Sequence, residues 1–448
     1  MSDTSSLRPV RVRVAPSPTG RLHIGNLRVA LFNWLFARKH NGVFLIRIED
    51  TDIERSKQEY VDSILDAFAW VGIESDEPIL FQTQRFPLYQ TYIDRLLATG
   101  SAYWSDPLAE ENGKSVVRFR VPRDRQSVVF NDLIRGSVTV ETSLIDDFVI
   151  ARADGTPLYN FVVVVDDIES RITHVLRGED HISNTPRQIL LYEALGAPLP
   201  LFGHLPFILG ATGQPLSKRD AATAVLDYRD GGYLPEALWN YLIRLGWSHG
   251  DQEIFSRQEM INYFSLDAVH SAGAMFDIAK LNWVDSVYIK GYSPANLISY
   301  IHANVDPKFE AKCEQWGPAQ LEAAVALYQD RVLTVVQLRD MVCQLCEAPV
   351  ITELPVSVTW GARTADLLEN FEQRLLAVES LDIESVERML RAVCEQMGAK
   401  MPDLAKPIRF ALTGELSSPS VSSLLVVLGW SEGVERINRF KKWLREVV

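Results

Sequence analysis

Residues 11–26, RVRVAPSPTGRLHIGN, decide the fold of the N-terminal half. Apolar and charged side chains alternate over residues 10–15, which predicts a β-strand. The run NLRVALFNWLFARKHNG then predicts a helix that ends near Asn41 and Gly42, a pair suited to a left-handed cap. VFLIRIE at 43–49 predicts a second strand. Strand, helix and strand in succession make a βαβ unit, whose right-handed crossover predicts a parallel sheet.

The rest of the chain divides by pattern into three parts. YNFVVVVDD at 159–167 is apolar on both faces, which predicts a central strand covered by helices. Residues 86–158 mix a helical stretch with short strands, which predicts an α+β insertion that divides the nucleotide-type fold. From about residue 220 onward the apolar residues recur at helical spacing. The predicted fold class is therefore α/β: a Rossmann-type parallel-sheet catalytic domain, split by an α+β insertion and followed by an α-helical C-terminal half.

The composition is that of a globular protein. With 448 residues, 47% of them hydrophobic, the chain is long enough for several domains with buried cores. The net charge of −13 gives no sign of nucleic-acid binding, which would need local basic patches. Four cysteines make no disulfide framework and favour a reducing compartment. The first residues contain no secretory h-region, and no apolar run is long enough to cross a bilayer. We therefore expect a soluble cytoplasmic protein without a membrane partner.

The turn between the first strand and the helix combines rigidity with a polar side chain. Pro16 and Pro18 fix φ and remove two amide donors, and Gly20 and Gly25 allow a close backbone approach. A helix that begins at the carboxyl end of a strand is where doubly wound folds bind nucleotide phosphates. His23 can therefore donate to a phosphate, or it can cap the helix. The turn alone favours neither interpretation.

Two further polar clusters occupy loops. GQPLSKRD at 213–220 places Lys218 and Arg219 together, a pair of cations suited to a polyphosphate. Taken alone, this cluster is better interpreted as a solvated surface loop. RIEDTD at 47–52 follows the second strand, where its carboxylates can bind an amine, a ribose hydroxyl or a metal, or can cap the loop through Asp50 or Asp52. The sequence of this second cluster alone does not distinguish ligand binding from loop capping.

Together these segments resemble one family. PSPTGRLHIG, RIEDTD, YNFVVVVDD, THVLRGEDHISNTPRQILLYEALG and LSKRD, in this order and at these separations, resemble the bacterial glutamyl-tRNA synthetases, which are class I aminoacyl-tRNA synthetases. The similarity runs from about residue 10 to residue 290, and the helical remainder is similar to the family's anticodon-binding domain. The resemblance implies a catalytic domain at 1–85 and 159–220, an acceptor-binding insertion at 86–158, a stem-contact domain at 221–300 and an α-helical anticodon-binding domain at 301–448.

The resemblance implies a reaction and the residues that carry it. Glutamate and ATP, with Mg²⁺, form glutamyl-adenylate and pyrophosphate, and the glutamyl group then passes to tRNA with release of AMP. Such chemistry depends on positioning and charge neutralisation rather than on a side-chain nucleophile. The implied catalytic residues are His23, Lys218 and Arg219. The implied ATP-binding residues are Pro16, Thr19, Gly20, His23, Gly25, Asn26, Glu179, Ser217 and Lys218.

The resemblance also implies a glutamate pocket. Glutamate carries two carboxylates and one ammonium, so two arginines and one carboxylate suit it, and a paired arginine disfavours the neutral amide of glutamine. Which arginine meets which carboxylate stays open. The implied glutamate-binding residues are Arg13, Ser17, Glu49, Tyr159 and Arg177, with Val163 and His181 in the same region.

The sequence departs from the family pattern at three places. Asn26 replaces the final histidine of the class signature, and Pro215 replaces the usual first lysine of the mobile loop. The segment 103–116 contains no cysteine, so we expect no structural zinc there. Cys343 and Cys346 form a lone CxxC on a predicted helix, which is better interpreted as core packing than as a metal site. No protein ligand for a metal is therefore predicted.

Other functions remain to be weighed against this one. A glutaminyl-tRNA synthetase would have a β-barrel anticodon region, and a short paralogue that modifies a tRNA base, or a non-tRNA nucleotidylyltransferase, would lack the long helical half. A degenerate synthetase kept as an RNA-binding protein is the alternative from another class. The expected partners are L-glutamate, ATP and tRNA for glutamate, with tRNA for glutamine left open, and the expected state is a monomer. The basic residues of 435–448 either face tRNA or form a solvated helix face.

Overall fold

The computed structural model describes residues 9–110, 113–217, 223–378 and 382–447. Lys218 and Arg219 of the predicted mobile loop lie outside the described residues. The chain forms two compact units: the first comprises the chain through Tyr228 together with Pro235–Val284, and the second comprises Arg229–Leu234 together with Asp285–Val448. Each unit is described below on its own.

The predicted βαβ unit is confirmed. The first two strands pair in parallel, with Arg11 opposite Val43, and the second strand pairs in parallel with a short third one. The helix between them ends where predicted: Asn41 adopts φ of 50°, in the left-handed region. Nearly every face of this helix is buried, as expected for a crossover helix against a sheet. The elements are β1 (Arg11–Val14), α1 (Ile24–Lys39), β2 (Val43–Ile48), α2 (Gln58–Trp70) and β3 (Leu80–Phe81).

The predicted α+β character of the insertion is also confirmed. It contains a three-stranded antiparallel sheet and an antiparallel hairpin, both preceded by a helix. The alternating burial of the first hairpin strand shows that one face of it packs inward. The elements are α3 (Phe86–Ala98), β4 (Ala102–Trp104), β5 (Val117–Phe119), β6 (Ser127–Asp132), β7 (Gly136–Glu141) and β8 (Phe148–Ala151).

The prediction of a central strand at YNFVVVVDD is wrong, because α4 (Tyr159–Glu169) is a helix. Phe161 through Asp167 are buried without interruption, and a short run that is apolar on every side gives no period by which to tell a strand from a buried helix. Successive residues of this helix point about 100° apart, and neighbouring Asp166 and Asp167 reach different partners.

The place predicted for that strand is taken by two others. β9 (His174–Gly178) and, after α5 (Thr185–Ala194), β10 (Leu201–Leu205) pair with each other in parallel. The amide of Thr173, just before β9, donates to the carbonyl of Arg11 at 2.9 Å, which places β9 beside β1. The carboxyl ends of these parallel strands therefore lie along one edge, where ligands bind in open α/β sheets.

The first unit is completed by helices and one short parallel strand pair, β11 with β12. The predicted helix at 234–247 is confirmed. The elements are β11 (Ile208–Leu209), α6 (Val225–Asp230), α7 (Pro235–Arg244), α8 (Arg257–Tyr263), β12 (Ala274–Met275) and α9 (Ile278–Gly291), of which α6 and α9 end in the second unit.

The second unit is α-helical, as predicted. The stretch 322–342 contains two helices rather than one, because the chain is extended at Val332 and Thr334, and the Thr334 side chain accepts from the Gln337 amide at the start of the next helix. The elements are α10 (Pro294–Asn304), α11 (Phe309–Lys312), α12 (Pro318–Tyr328), α13 (Val335–Cys346), α14 (Ala362–Leu376), α15 (Ile383–Met397), α16 (Met401–Thr413), α17 (Val421–Leu428) and α18 (Trp430–Val447).

The basic C-terminal helix α18 does not expose all its cations. Arg436 is buried and donates to the carbonyls of Leu412 and Cys346, at 2.8 and 3.2 Å. Lys441 is also buried and pairs with Glu369 at 2.8 Å and with Glu372. Two of the five basic residues that could have faced tRNA are therefore part of the helical core.

The cysteines of the lone CxxC lie on α13, as predicted. Cys346 is buried, and its sulfur accepts a hydrogen bond from Gln315 Nε2 at 2.7 Å. Burial raises the pKa of the Cys346 thiol, which keeps it in the neutral form. Within the described ranges, no helix is long and apolar enough to span a membrane.

The junction of α1 and β2 provides a test of the packing. A Cβ on Gly42 would lie 2.4 Å from the Val10 carbonyl oxygen, which already accepts from the Val43 amide at 2.8 Å. We expect Gly42→Ala to lower the free energy of unfolding by about 1–3 kcal/mol in urea denaturation, because the strand pairing must shift. Gly291→Ala is the control, since its Cβ would meet nothing within 4 Å, and it should change stability by less than about 0.5 kcal/mol. Equal effects of the two substitutions would contradict this explanation.

Candidate active site

A cavity of about 270 Å³ opens at the carboxyl ends of β1, β2 and β9. It is bounded by the turn after β1, the start of α1, the residue after β2 and the start of α4. The cavity is lined by five of the residues predicted to bind glutamate and by three of those predicted to bind ATP. The lining residues are Arg13, Val14, Ala15, Pro16, Ser17, Thr19, Asn26, Val29, Glu49, Tyr159, Leu176, Arg177, Gly178, Asp180 and His181.

The turn after β1 is held to the segment that follows β2. The Pro16 carbonyl accepts from the Glu49 amide at 3.0 Å, and the Pro18 carbonyl accepts from the Lys57 amide at 3.2 Å. The two prolines thus supply fixed acceptors as well as fixed φ angles. Gly20 is different from what the sequence suggested: its φ is outside the left-handed region and a Cβ there would meet nothing within 4 Å.

His23 caps helix α1. Its Nδ1 accepts from the Gly25 amide at 3.0 Å, so a neutral ring carries its proton on Nε2. A Cβ on Gly25 would lie 3.2 Å from that Nδ1, which explains the glycine by its approach to His23. The capping interpretation is therefore correct. It does not exclude the other one, because the cap fixes the tautomer in which Nε2 is a donor beside a helix N-terminus.

A buried group of charges lies under the cavity. Arg13 donates from Nε and Nη2 to both oxygens of Asp167, at 3.1 and 3.2 Å, and Arg47 Nη1 donates to Asp167 at 2.5 Å. Burial alone would raise the pKa of Asp167, but the two arginines outweigh it and the net pKa shift is downward. Asp166, next along α4, instead accepts from the side chains of Arg85 and Gln82, each at 2.8 Å.

Arg47 and Asp167 are two buried charged residues whose role was not predicted from the sequence. The available signals were a charged residue inside the otherwise apolar strand VFLIRIE, and two carboxylates at the end of the apolar run YNFVVVVDD. A buried charge requires a partner, so such residues indicate an internal ion pair. The sequence could not show which charges meet, because the pairing depends on where α4 packs.

Glu49 places a carboxylate in the cavity. Its Oε1 accepts from Arg47 Nη2 at 3.2 Å, and the side chain is only 8% exposed. Burial raises the pKa of Glu49 above 4.5, and the arginines Arg47 and Arg13 only partly oppose that shift. A ligand ammonium beside Glu49 would supply a positive charge that stabilises the deprotonated form of this carboxylate. The other acidic residues of RIEDTD cap the loop: Asp50 accepts from Thr83, and Asp52 pairs with Arg55.

Arg177 is held by neutral groups. Its Nε donates to His204 Nε2 at 3.1 Å, its Nη1 to Gln188 Oε1 at 2.8 Å and its Nη2 to Thr185 Oγ1 at 2.8 Å. In the part of the chain that the structure describes, no carboxylate lies within ion-pair distance of this guanidinium, although it is buried. Burial lowers the pKa of Arg177. A buried, uncompensated guanidinium beside a cavity is suited to a carboxylate ligand.

Tyr159 and His181 form the wall beside Arg177. The Tyr159 hydroxyl lies 3.0 Å from His181 Nδ1, and the two rings stack with centroids 5.5 Å apart. Burial lowers the pKa of His181 to about 4, so the ring is neutral at neutral pH and accepts from the tyrosine. Val163 is fully buried on α4 and is not among the lining residues.

Some predicted residues lie elsewhere. Glu179 pairs with Arg135 and accepts from the Phe207 amide at 2.6 Å, and neither it nor Ser217, Gly20, His23 or Gly25 lines the cavity. Pro215 lies in a tight turn and forms a bridge with Leu209. The predicted roles of Lys218 and Arg219 concern residues outside the described ranges.

A second cavity of about 350 Å³ adjoins the first. It shares Ser17, Thr19, Glu49 and Tyr159 with the first cavity, and it extends to Arg55 and to the chain between β8 and α4. The rigid turn therefore borders both cavities. Among the described residues, no group of three or more histidine, cysteine, aspartate or glutamate side chains is arranged to hold a metal ion. The absence of zinc stays a prediction.

Comparison with protein families agrees with this geometry. Residues 9–112 and 105–283 match the family described as tRNA synthetases class I (E and Q), catalytic domain. Residues 300–441 match the family described as anticodon binding domain. The first match contains all the residues that line the cavity.

Two relatives that match over nearly the whole chain are glutamate–tRNA ligases. The chain is 41% identical to a glutamate–tRNA ligase of Pelobacter propionicus, over 98% of this chain and 99% of that protein. It is 40% identical to "Glutamate–tRNA ligase 2" of Halorhodospira halophila, over 98% and 99%. Among solved structures, a glutamate tRNA ligase from Elizabethkingia meningosepticum, crystallised in complex with its amino acid, superposes with a TM-score of 0.87 at 31% identity, over 98% of this chain and 100% of that one.

The buried ion pairs under the cavity allow a stability test. Asp167→Asn leaves Arg13 and Arg47 without their shared anion, and we expect a loss of about 3–5 kcal/mol of unfolding free energy at pH 7 in urea denaturation. Because folding lowers the pKa of Asp167, the wild-type stabilisation exists above the unfolded pKa and is lost as pH falls through the folded pKa. Asp94→Asn, at an exposed carboxylate that accepts from Gln90, is the control. A loss below about 1 kcal/mol for Asp167→Asn would contradict this account.

Proposed function

The chain belongs to the class I tRNA synthetases of the E and Q group, and from this premise we propose that it attaches glutamate to tRNA in an ATP-dependent reaction. Glutamyl-adenylate and pyrophosphate form first, and the glutamyl group is then transferred to tRNA with release of AMP. The observation that carries the choice of amino acid is Arg177, a buried guanidinium without a carboxylate partner among the described residues, in the same cavity as the buried carboxylate of Glu49.

The charges of the cavity match those of glutamate. The ammonium group fits Glu49, whose carboxylate accepts from Arg47. A carboxylate fits Arg177, and a second one fits the Nη1 of Arg13, since its Nε and Nη2 are occupied by Asp167. Glutamine would present an amide NH₂ to a guanidinium, so two donors would face each other. The assignment of each carboxylate to one arginine is not part of the proposal.

ATP fits beside the amino acid at the start of α1. The dipole of a helix attracts phosphate to its N-terminus, and the cap fixes His23 in the tautomer whose Nε2 donates. Thr19 and Asn26 line the same cavity. Mg²⁺ that enters with ATP supplies charge neutralisation at the phosphates, and the phosphate oxygens suit it as ligands. Lys218 and Arg219, as expected from the family resemblance, would neutralise the phosphate charge, with Ser217 on the same loop.

The chain's own groups then position the reaction. Glu49, Arg13 and Arg177 hold the amino acid so that one carboxylate oxygen can attack the α-phosphorus. No side-chain nucleophile is needed, because alignment and charge stabilisation supply the rate. The second cavity, between the rigid turn and the end of the insertion, suits the terminal nucleotide of tRNA, since it meets the amino-acid cavity at Ser17 and Tyr159.

The domain roles follow from the same proposal. Residues 86–158 would contact the acceptor end, 221–300 the stem and 301–448 the anticodon. The described chain is helical from Pro294 onward, which favours the glutamyl over the glutaminyl enzyme with its β-barrel anticodon region. The tRNA for glutamate is the expected substrate, and that for glutamine is the second to be tested. The cytoplasmic location and the monomeric state stay predictions from the sequence.

Aminoacylation tests the function directly. We expect the wild-type chain to charge tRNA for glutamate with labelled glutamate and not with glutamine. Arg177→Gln should lower kcat/KM for glutamate by a factor of about 100 or more, because a charge-assisted bond to a buried carboxylate is lost. Arg187→Gln, at a half-buried arginine on α5 whose Nη1 donates to the Ser183 carbonyl, is the matched control. Charging with glutamine, or tRNA binding without any charging, would contradict the proposal.

The ionisation of Glu49 predicts a pH dependence. Glu49 binds the ammonium as an anion, and its pKa is raised above 4.5, so the KM for glutamate should rise as pH falls toward that pKa, beginning at a higher pH than an ordinary glutamate allows. Glu49→Gln should show a high KM that no longer depends on pH in this range. Initial rates at saturating ATP between pH 5 and 8 measure this. The same pH profile in wild type and variant would show that another group titrates.

A further inference from the structure

A buried aspartate–histidine pair stands behind Arg177. Asp132, the last residue of β6 in the insertion, lies 2.5 Å through Oδ2 from His204 Nδ1, on β10, and both side chains are fully buried. The other oxygen of Asp132 accepts three backbone amides, from Ile134 and Arg135 at 2.9 Å each and from His204 at 3.1 Å. The carboxylate is therefore fully bonded and fixed in orientation.

The contacts allow one tautomer of His204. Arg177 Nε can only donate, and it lies 3.1 Å from His204 Nε2, so that nitrogen is an acceptor. Thr185 Oγ1 lies at 3.1 Å from the same nitrogen. The ring proton is then on Nδ1 and is donated to Asp132. Burial lowers the pKa of His204, so the ring is neutral at neutral pH.

We propose that Asp132 and His204 are positioning residues for glutamate binding, which act by fixing the orientation of Arg177 without neutralising it. This inference rests on the proposed function, in which Arg177 meets a carboxylate of glutamate. Nε and Nη1 are each anchored once, and Nη2 is anchored to Thr185 Oγ1 and, at 3.4 Å, to the His181 carbonyl. The guanidinium plane is therefore fixed, and the remaining N–H group on Nη1 is available to a ligand.

There is a physical reason for a histidine to lie between Asp132 and Arg177. A carboxylate in direct contact with Arg177 would compete with the substrate, as Asp167 occupies Nε and Nη2 of Arg13. Asp132 instead polarises a neutral acceptor and keeps it in the required tautomer, as an aspartate orients the histidine of a catalytic triad. The arginine keeps its charge, and its position is tied to a hairpin of the insertion through Asp132.

Asp132→Asn separates positioning from packing. The asparagine is isosteric and its Oδ1 can still accept the three amides, but its Nδ2 donates toward His204. The ring must then carry its proton on Nε2, opposite the Nε–H of Arg177. Since two donors cannot bond, Arg177 must turn away. We expect the KM for glutamate to rise about tenfold or more, and the KM for ATP to stay within about twofold, in aminoacylation assays.

The matched control is Asp147→Asn, an insertion carboxylate that accepts from the Val121 amide and the Tyr103 hydroxyl and has no link to Arg177. It should leave the KM for glutamate unchanged. An unchanged glutamate KM in folded Asp132→Asn, or an equal rise in both KM values, would overturn the positioning role while the wild-type activity still supports the proposed function. Inactive wild-type protein would instead contradict the proposed function.

A spectroscopic measurement keeps the inference testable if the variant does not fold. With ¹⁵N-labelled histidine, the wild-type protein should show a ring protonated on Nδ1 with an unprotonated Nε2. It is assigned to His204 by its loss in His204→Gln or, if that variant also fails to fold, by through-space contacts to Phe130, whose ring centroid lies 6.5 Å from that of His204. A wild-type His204 protonated on Nε2 would overturn the proposal, because Arg177 Nε would then have no acceptor there.

Discussion

The burial of positive charge under the parallel sheet is the constraint on which the N-terminal unit depends. Arg13 on β1 and Arg47 on β2 point to the same side, and Asp167 at the end of α4 lies between them. Removing such a charge from water is costly unless a counter-charge is present, so α4 is required at this place. The ion pairs thereby join two strands and a helix that are far apart in sequence, and they stabilise the segments that lie under the cavity.

The two arginines of the cavity are supported in opposite ways. Arg13 is bonded on one side to the carboxylate of Asp167, which neutralises part of its positive charge. Arg177 is bonded to an imidazole, an amide and a hydroxyl, so its charge remains for a ligand. Neutral acceptors orient a guanidinium without competing for its charge. A cavity with one such arginine and the buried carboxylate of Glu49 is matched to a small zwitterion with an additional negative charge.

The turn after β1 combines a helix cap with a fixed histidine tautomer. His23 caps α1 through Nδ1, and this bond leaves the proton on Nε2. The prolines serve in a similar way, because their carbonyls anchor the residues after β2 while the turn borders both cavities. Rigidity at this place keeps the amino-acid cavity and the start of α1 at a constant distance, which in-line attack requires.

The sequence by itself determined the βαβ unit, the α+β insertion, the helical C-terminal half and the family, because these follow from local periodicity, turn residues and motif order. Most of the cavity was predictable through the resemblance, including Arg13, Glu49, Tyr159 and Arg177. Only the tertiary structure decided that YNFVVVVDD is a helix, that Asp50 and Asp52 cap a loop, and that Arg436 and Lys441 are internal. The reason is the same in each case. The local sequence around an apolar run or a charged residue does not show which distant residues it will contact, because burial and pairing arise only when distant segments pack together.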